Sequence, residues 1–589
     1  MTMGLLILPL LLLLSLTARK EALGKKYYAL YSLGMLGLMS YMVWAFLAEK
    51  YSLTWVSKYS DASLPTPLRV AAIWAGQEGT LLLWLLALVA ITWTYPWGRV
   101  SKVLLGEQLL LLLGFLLLNP LAQSGIDGGL GLNPLLRTSW MLYHPPVVFM
   151  GYALLTVPFA EGLLGEVGRG KGYLRLGWLM LGTGLTLGGF WAYRVLGWGG
   201  FWAWDPVEAA SLVPWLLATV ALHLYHRDQA RPFTVLAYVA VIWAVAITRS
   251  GILATTSVHA FAGSSTAPYL YLLLVIHVGV SLYVLFKNRK QQDPLPLVWQ
   301  AVALYALWVA AGTALPLISS LVLSDVMSIG PGFYRSGAIP TVLLTAWALR
   351  HSLQRDGTAR SLTHFGVILF LIGAVASSQY SSSQTLSLES GDMQEVGELG
   401  ITYTRTPSGG AITAVFRADT IQTRVELRQA ELVKPVIWRQ LWQDIYISPL
   451  SVGDRGGEIV TLKSGEVLER YGERIELLGL IEGMRLEGHT LVAEVLYGEE
   501  LVVPALVVTE GGIRGRKALL PTGGAVALVG VDNMGTEVTL QLYSPQEAES
   551  LLVAEVSVKP LMNFVRFGVI LTLLGGLATL IESVLSKHD

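Results

Sequence analysis

Long apolar runs alternate with short polar, often basic, stretches through the first two-thirds of the chain, and one more apolar run closes it. A helix that crosses a hydrocarbon core needs about 20 mostly apolar residues. The runs predict about thirteen membrane helices, near residues 3–18, 28–48, 70–94, 102–119, 145–163, 174–195, 207–225, 233–250, 268–286, 297–316, 338–350, 362–379 and 561–583. Between 380 and 558 the period changes. Short alternating runs such as ITYTR, AVFRAD, EIVTL, RIELLGL, TLVAEVLY, AVALVGV and EVTLQLY are separated by Gly, Asp, Asn and Pro, which predicts small β-strands. The expected fold class is therefore mostly α: a polytopic helical membrane protein with one β-rich domain inserted before the last span. Its parts are a membrane bundle over 1–379, the β-rich domain over 380–558, and a final helix and tail over 559–589.

Charge orients this scheme. The opening run GLLILPLLLLLSLTA has no basic segment before it and no clear small-residue cleavage site, and Arg19, Lys20, Lys25 and Lys26 follow it. It reads as a first membrane helix rather than a signal peptide. Basic residues then gather in alternate loops: Arg99 and Lys102; Arg169, Lys171 and Arg175; Arg227 and Arg231; Lys287, Arg289 and Lys290; Arg350, Arg355 and Arg360; and finally Lys587. The opposite loops are poorer, although they hold Lys50, Lys58, Arg137 and Arg335. Lys and Arg mark the cytoplasmic side. The N-terminus and the β-rich domain are thus expected outside and the C-terminus inside.

Composition narrows the chemistry. Hydrophobic residues make up 53% and charged residues 14%, against about a quarter charged in soluble domains. The formal net charge is zero, so no nucleic-acid partner is indicated. There is no cysteine, which excludes disulfides, thiolate nucleophiles, zinc–thiolate sites and iron–sulfur clusters. Any metal must rest mainly on histidine, carboxylate or methionine.

Of the nine histidines, topology sorts four into two groups. His144 opens the fifth span and His259 lies in the outer loop SVHAFAG, both at the outer surface. His223 ends the seventh span and His364 begins the twelfth, both in the cytoplasmic third. His223 lies 18 residues beyond Asp205, or about 27 Å of helix, so the two groups cannot share a ligand. Ionisable residues inside spans are rare and usually functional, and two imidazoles on different helices can ligate a haem iron from both faces. A single intramembrane histidine is about as often a hydrogen-bonded packing group, and His277, in mid-span, competes with His223 or His364. His226 and His351 sit among loop arginines; His489 and His588 have no assigned role.

The densest local signal is WGGFWAWDPVEAASLVPW, residues 198–215. Trp198, Trp202, Trp204 and Trp215 crowd together there with Phe201. An interfacial aromatic belt explains scattered tryptophans. It explains less well the pair Gly199–Gly200, which permits close backbone approach, and Asp205–Pro206, which reads as an N-cap and first helical residue. Such a segment forms an aromatic surface on which a flat macrocycle could stack, with His144 and His259 as possible axial ligands.

WGGFWAWDP resembles the tryptophan-rich "WWD" signature of haem-handling membrane proteins. VAAIWAGQEGTLLLW (70–84), LLRTSWMLYHPPVVFMGY (135–152), ITRSGILATTSVHAFA (247–262), HFGVILFLIGAVASSQY (364–380) and the closing KPLMNFVRFGVILTLLGGL extend the likeness, in order, over essentially the whole chain. The chain thereby resembles the haem lyase subunit of bacterial cytochrome c maturation, the CcmF type. The resemblance implies a bacterial inner-membrane protein whose β-rich domain is periplasmic. It implies that His144 and His259, with Trp198, Trp202, Trp204 and Asp205, hold substrate haem, and that His223 and His364 hold a permanent haem b. It further implies receipt of haem from a periplasmic haem chaperone and attachment of the vinyl groups to the CxxCH cysteines of apocytochrome c. Other maturation subunits in the membrane and quinol as electron donor are the further expected partners. The chain departs from the signature at Phe201, where tryptophan is usual, at Ala203, where phenylalanine is, and at Ala209, where asparagine is. A haem exporter or carrier without ligation chemistry is the nearest alternative. A respiratory or ion-translocating subunit would need lysines and glutamates buried in mid-span, which the sequence shows sparsely.

Overall fold

A computed structural model describes residues 5–585, apart from 126–127, 167–168, 196–199, 226–228, 254–265, 288–293, 323–328 and 353–356, and from 390, 392, 397, 407–408, 417–418, 426–434, 455–457, 471, 486–487, 499, 510–511, 517, 521–523, 532–536 and 544–549. The chain divides into two compact units, residues 1–380 with 560–589, and residues 381–559.

The first unit is helical. Its elements are α1 (Ile7–Thr17), α2 (Glu21–Leu47), α3 (Thr54–Tyr59), α4 (Thr66–Ala72), α5 (Gln77–Thr94), α6 (Arg99–Leu117), α7 (Trp140–Leu164), α8 (Gly170–Val195), α9 (Pro206–Leu224), α10 (Ala230–Arg249), α11 (Ala267–Lys287), α12 (Leu297–Val322), α13 (Pro331–Ser352), α14 (Thr358–Gln379) and α15 (Met562–Leu585). Among the described residues, ten of these are long and apolar enough to cross a membrane. The three other expected spans are also helical but fall short of that standard. Helix α1 has only 11 residues, α8 is diluted by glycines and by Lys171, Arg175 and Arg194, and α13 carries Arg335 and Pro340.

The expected span over 70–94 is broken in two. Helix α4 stops at Ala72 and α5 starts at Gln77. A Cβ at Gly79 would lie 1.7 Å from the Ile73 carbonyl oxygen, so the chain can fold back there only because position 79 is glycine. At the other end of the bundle, α14 and α15 run along a glycine seam. A Cβ at Gly366 would lie 2.4 Å from the Thr572 nitrogen, and one at Gly568 would lie 2.3 Å from the Phe370 nitrogen. Small residues let membrane helices approach backbone to backbone, and this seam fixes the helix that carries His364.

The second unit is all β. Among the described residues its strands are β1 (Ser382–Leu388), β2 (Met393–Val396), β3 (Leu399–Thr406), β4 (Gly409–Phe416), β5 (Asp419–Val425), β6 (Val436–Arg439), β7 (Gln443–Asp454), β8 (Glu458–Lys463), β9 (Val467–Arg470), β10 (Glu473–Arg485), β11 (Gly488–Tyr497), β12 (Glu500–Val502), β13 (Ala505–Thr509), β14 (Gly512–Arg516), β15 (Ala518–Leu519), β16 (Ala525–Val531), β17 (Glu537–Tyr543) and β18 (Ser550–Pro560). They form four sheets with the strand orders β1-β18-β7-β6, β2-β3-β4-β5, β14-β13-β11-β10-β9 with β12 on β11, and β15-β16-β17-β8. Strand β1 pairs with β18 from Ser382↔Val558 to Leu388↔Leu552, so the first and last strands close the unit on themselves. The runs read as strands from the sequence lie in β3, β8, β10, β11, β16 and β17, and the first three residues of AVFRAD end β4. Their alternation divides the apolar residues between two cores. Leu386, Ile401, Tyr403, Ile412, Ile445 and Val556 form one; Leu462, Leu477, Val495, Val526, Leu528 and Leu540 form the other.

Candidate functional site

Helix α9 carries a candidate site at each end. At its C-terminal end, His223 projects toward His364 in the second turn of α14. The two ring centres are 6.2 Å apart and the ring planes differ by 21°. Two imidazole nitrogens bound about 2.0–2.1 Å from one metal ion on opposite sides put the ring centres about 6 Å apart. The pair therefore has the spacing that a shared iron requires. His223 Nδ1 lies 2.8 Å from the Thr219 carbonyl. A carbonyl accepts, so Nδ1 carries the hydrogen and Nε2 is left as the nitrogen suited to a metal, the arrangement metal-binding histidines favour. Trp299, in the first turn of α12, lies over the His223 ring at 4.1 Å and 27°. Above the site along α9, Thr219 accepts from Trp178 Nε1 at 2.8 Å, and Trp178 stacks on Trp215 at 5.3 Å. His223 is exposed and His364 half-buried, so the pair is open to a large planar ligand.

At the N-terminal end of α9, Asp205 Oδ1 accepts from Val207 N at 2.8 Å and Pro206 occupies the first turn. This is the expected N-cap. Glu208 Oε2 accepts from Ala203 N at 3.1 Å, which ties the segment back onto its own helix. Trp204 has φ of +61°. A bulky residue in the left-handed region is held there at a cost of about 1–3 kcal/mol. The holding contact is Tyr334 of α13, whose ring lies parallel to Trp204, 3° apart in plane and 5.5 Å away. Trp202 meets Trp204 edge to face at 82° and 5.9 Å, so the two indoles form a corner rather than one plane. Trp202 Nε1 is buried and has no acceptor among the described residues. Phe201 is buried against Phe190 and Phe370. Ala209 is fully buried in the first turn of α9.

His144 lies one turn inside α7, which starts at Trp140 and runs through Pro145 and Pro146. The helix begins earlier than the hydrophobic run, so Pro145 and Pro146 fall in its second turn and donate no helical hydrogen bond there. The Met141 carbonyl, which position 145 would otherwise serve, accepts instead from Trp74 Nε1 at 2.7 Å. Its Nδ1 is 2.9 Å from the Gly184 carbonyl, and its ring meets Trp191 edge-on at 5.6 Å. A Cβ at position 188 would come within 2.9 Å of the ring, so Gly188 makes room for it. His259, Trp198 and Gly199 fall outside the described residues. The structure thus brings together His223 with His364, and Trp202 with Trp204 and Asp205; His144 is placed on the adjoining α7–α8 pair.

Sequence reading did not find Trp299, Tyr334, Trp191 or the carbonyl partners of the histidines. Trp299, Tyr334, Trp191 and the Gly184 carbonyl act across helices, where no spacing along the chain signals them, while the Thr219 carbonyl lies one turn before His223 on α9 itself. His277, the competitor for the inner pair, is engaged with Glu107 instead, at 2.9 Å.

Three comparisons bear on this geometry. A family model described as "Cytochrome C assembly protein" matches residues 171–258, the stretch that holds the tryptophan segment and His223. NrfE of Escherichia coli, a probable cytochrome c-type biogenesis protein, is 32% identical over 411 residues, covering 62% of this chain and 73% of that protein. The cytochrome c-type biogenesis protein CcmF of Pseudomonas aeruginosa is 28% identical over 509 residues, covering 64% of this chain and 75% of that one. The solved structure of the cytochrome c haem lyase CcmF superposes with a TM-score of 0.54 at 18% identity, over 98% of this chain and 95% of that one. It shares the fold.

Proposed function

The chain belongs to the family of cytochrome c-type biogenesis proteins that includes NrfE and CcmF, and we propose that within it this protein is the haem lyase of cytochrome c maturation in a bacterial inner membrane. The observation that carries the reading is the 6.2 Å pairing of His223 with His364, at the opposite end of one helix from the tryptophan segment. The two ends divide the work.

The incoming haem is the substrate and is received from a periplasmic haem chaperone. It rests in the corner of Trp202 and Trp204, with His144 and His259 as axial ligands, Trp198 completing the aromatic surface and Asp205 holding the segment to α9. The orphaned Trp202 Nε1 supports this, because a buried donor without an acceptor is costly unless a ligand satisfies it. Apocytochrome c presents its CxxCH cysteines alongside. Each thioether forms as a thiol adds across a vinyl group: sulfur bonds to one vinyl carbon and the thiol hydrogen ends on the other. The addition consumes no oxidant, and the lyase needs no cysteine of its own. His223 and His364 are the residues that would hold a haem b, and Trp299 and the Thr219 carbonyl orient His223 for it. Bound there, a haem b would supply the one-electron chemistry for keeping substrate iron ferrous, with quinol as its expected donor. The β unit and the N-terminus face the periplasm, the C-terminus the cytoplasm, and other maturation subunits associate in the membrane.

The test uses the purified full-length protein, haem-loaded chaperone, dithionite and an apocytochrome bearing one CxxCH motif. We expect haem that resists acid–acetone extraction and raises the acceptor's mass by one haem. Haem that transfers but stays extractable would instead make the protein a carrier.

A further inference from the structure

A second set of ionisable groups lies apart from both ends of α9. Glu107 is buried in the middle of α6 and His277 in the middle of α11, the latter 3% exposed. His277 Nδ1 is 2.7 Å from the Leu273 carbonyl and Nε2 is 2.9 Å from Glu107 Oε2. The carbonyl can only accept, so Nδ1 carries a hydrogen. The contact between Nε2 and Oε2 then requires one further proton, either on nitrogen, as imidazolium with carboxylate, or on oxygen, as imidazole with carboxylic acid. Both forms are neutral as a pair, so the proton can cross without charging the membrane interior, where a net charge is costly. Tyr238 of α10 donates its hydroxyl to the same Oε2 at 3.3 Å. Phe159 of α7 covers the Tyr238 and His277 rings at 4.6 and 5.9 Å.

A cavity begins one helical turn from this group on all three helices. Leu111 follows Glu107 by one turn, Ile242 follows Tyr238, and Leu273 precedes His277; all three line the cavity. Its far wall holds Gln77, Thr266 and Arg249. Thr266 donates to Gln77 Oε1 at 3.0 Å and Gln77 Nε2 donates to the Arg249 carbonyl at 3.1 Å. Arg249 ends α10, and α10 starts just after α9 ends. The far wall therefore lies toward the end of the bundle where Asp205 starts α9. The ionisable groups facing Glu107 are His277 and Tyr238, with Tyr269 and Arg249 across the cavity; α7 contributes Phe159.

We propose that Glu107, His277 and Tyr238 form an intramembrane proton-exchange site that communicates through this cavity with the Asp205 end of the bundle. Its ligand is the proton. The neutral pair with one shared proton is the resting state. Exchange passes through a short-lived charged state, imidazolium with carboxylic acid when a proton is taken up or imidazole with carboxylate when one is released, and the cost of that state sets the rate. The cavity wall beside the pair is apolar (Leu111, Ile242, Leu273) and the polar groups lie across it at Gln77, Thr266 and Arg249, so a water held in the cavity carries the proton between the two walls. The site could serve any proton-coupled electron transfer within the bundle, and it does not depend on the haem lyase reading.

The test is time-resolved infrared spectroscopy of the full-length protein in lipid nanodiscs, mixed from H2O into D2O. Bands of the pair are those lost in Glu107→Gln and in His277→Gln. We expect them to shift within seconds of mixing, and to do so at least tenfold more slowly in Leu111→Phe, which fills the cavity while leaving all three polar groups in place. Bands that exchange no faster than the buried amides of α6 and α11, at the same rate in Leu111→Phe, would overturn the proposal and leave the pair as a packing contact. If either polar variant fails to fold, the Leu111→Phe comparison against the wild-type carboxyl and imidazole bands still decides the matter.

Discussion

The two ends of α9 are built in opposite ways. The His223 end is assembled from residues 223, 299 and 364, which lie on three helices, and its geometry is set by the packing of whole elements, above all the glycine seam between α14 and α15. The Trp204 end is built largely within residues 201–208, with a capped helix start, a left-handed tryptophan and one stacking partner on α13. The first arrangement is fixed once the bundle has folded. The second depends on a few local contacts and has an unsatisfied donor in it. Rigidity suits a resident group. A local, adjustable corner with an unmet hydrogen-bond donor suits a substrate that must arrive, react and leave. That contrast can be broken by experiment.

The largest effect is expected at the assembled end. His223→Ala or His364→Ala removes one of two axial positions, and the purified protein should lose nearly all of its b-type absorption. Trp202→Ala and Trp204→Ala should leave that spectrum intact. Loss of the b-type bands in the tryptophan variants would mean that the two ends share one ligand and that the division is wrong.

Next in size is the stack that holds Trp204. Tyr334→Ala removes a parallel aromatic contact worth about 0.5–1.5 kcal/mol and leaves the +61° backbone of Trp204 unsupported. Titration with ferric haem should show weakening of about tenfold or more at the outer end, with internal haem content unchanged. Trp204→Gly should weaken binding similarly, yet the detergent-solubilised protein should be nearly as heat-resistant as wild type. The backbone strain of about 1–3 kcal/mol is relieved as the ring contact is lost. Strong destabilisation by Trp204→Gly would show that the ring is a core contact first.

Much of this was legible in the sequence, and what escaped is instructive. The helices were visible because each must present about 20 apolar residues to lipid, and the strands because their alternation is local. Asp205 as a cap was readable because capping acts over two or three residues. The break at residues 73–76 was not, since it arises from Gly79 meeting the Ile73 carbonyl, a contact that hydropathy does not register. Topology placed His223 and His364 at the same depth, but their separation depends on the glycine seam. Trp299, Tyr334 and the Glu107–His277 pair join residues 76 to 170 positions apart. A single sequence contains no signal for such partners beyond the rarity of a glutamate in an apolar run.

A smaller effect is expected from the Trp202 donor. Trp202→Phe keeps an aromatic ring but deletes the buried Nε1 that has no acceptor among the described residues. An unsatisfied buried donor costs about 1–3 kcal/mol, so the free protein should be no less stable, and thermal unfolding followed by size-exclusion chromatography would show it. Haem binding at the outer end should weaken by a few-fold, because the ligand loses the one hydrogen bond that the corner offers it. A less stable free protein would mean that Nε1 already has a partner.

The smallest effect should come from Trp299, and it probes how far the assembled end depends on its third helix. Thr219 already orients His223 through Nδ1, so the indole is the second of two restraints on that ring. Trp299→Phe keeps a face over the imidazole and should be almost silent. Trp299→Leu removes the stacked contact, worth about 0.5–1.5 kcal/mol, and leaves the hydrogen bond in place. The b-type bands should persist with haem content within about twofold of wild type. The low-spin electron paramagnetic resonance signal of the oxidised protein should broaden as the His223 plane gains freedom. Loss of haem as complete as in His223→Ala would make Trp299 a wall of the site rather than a brace on its ligand. No change in either signal would mean that α9 alone orients His223.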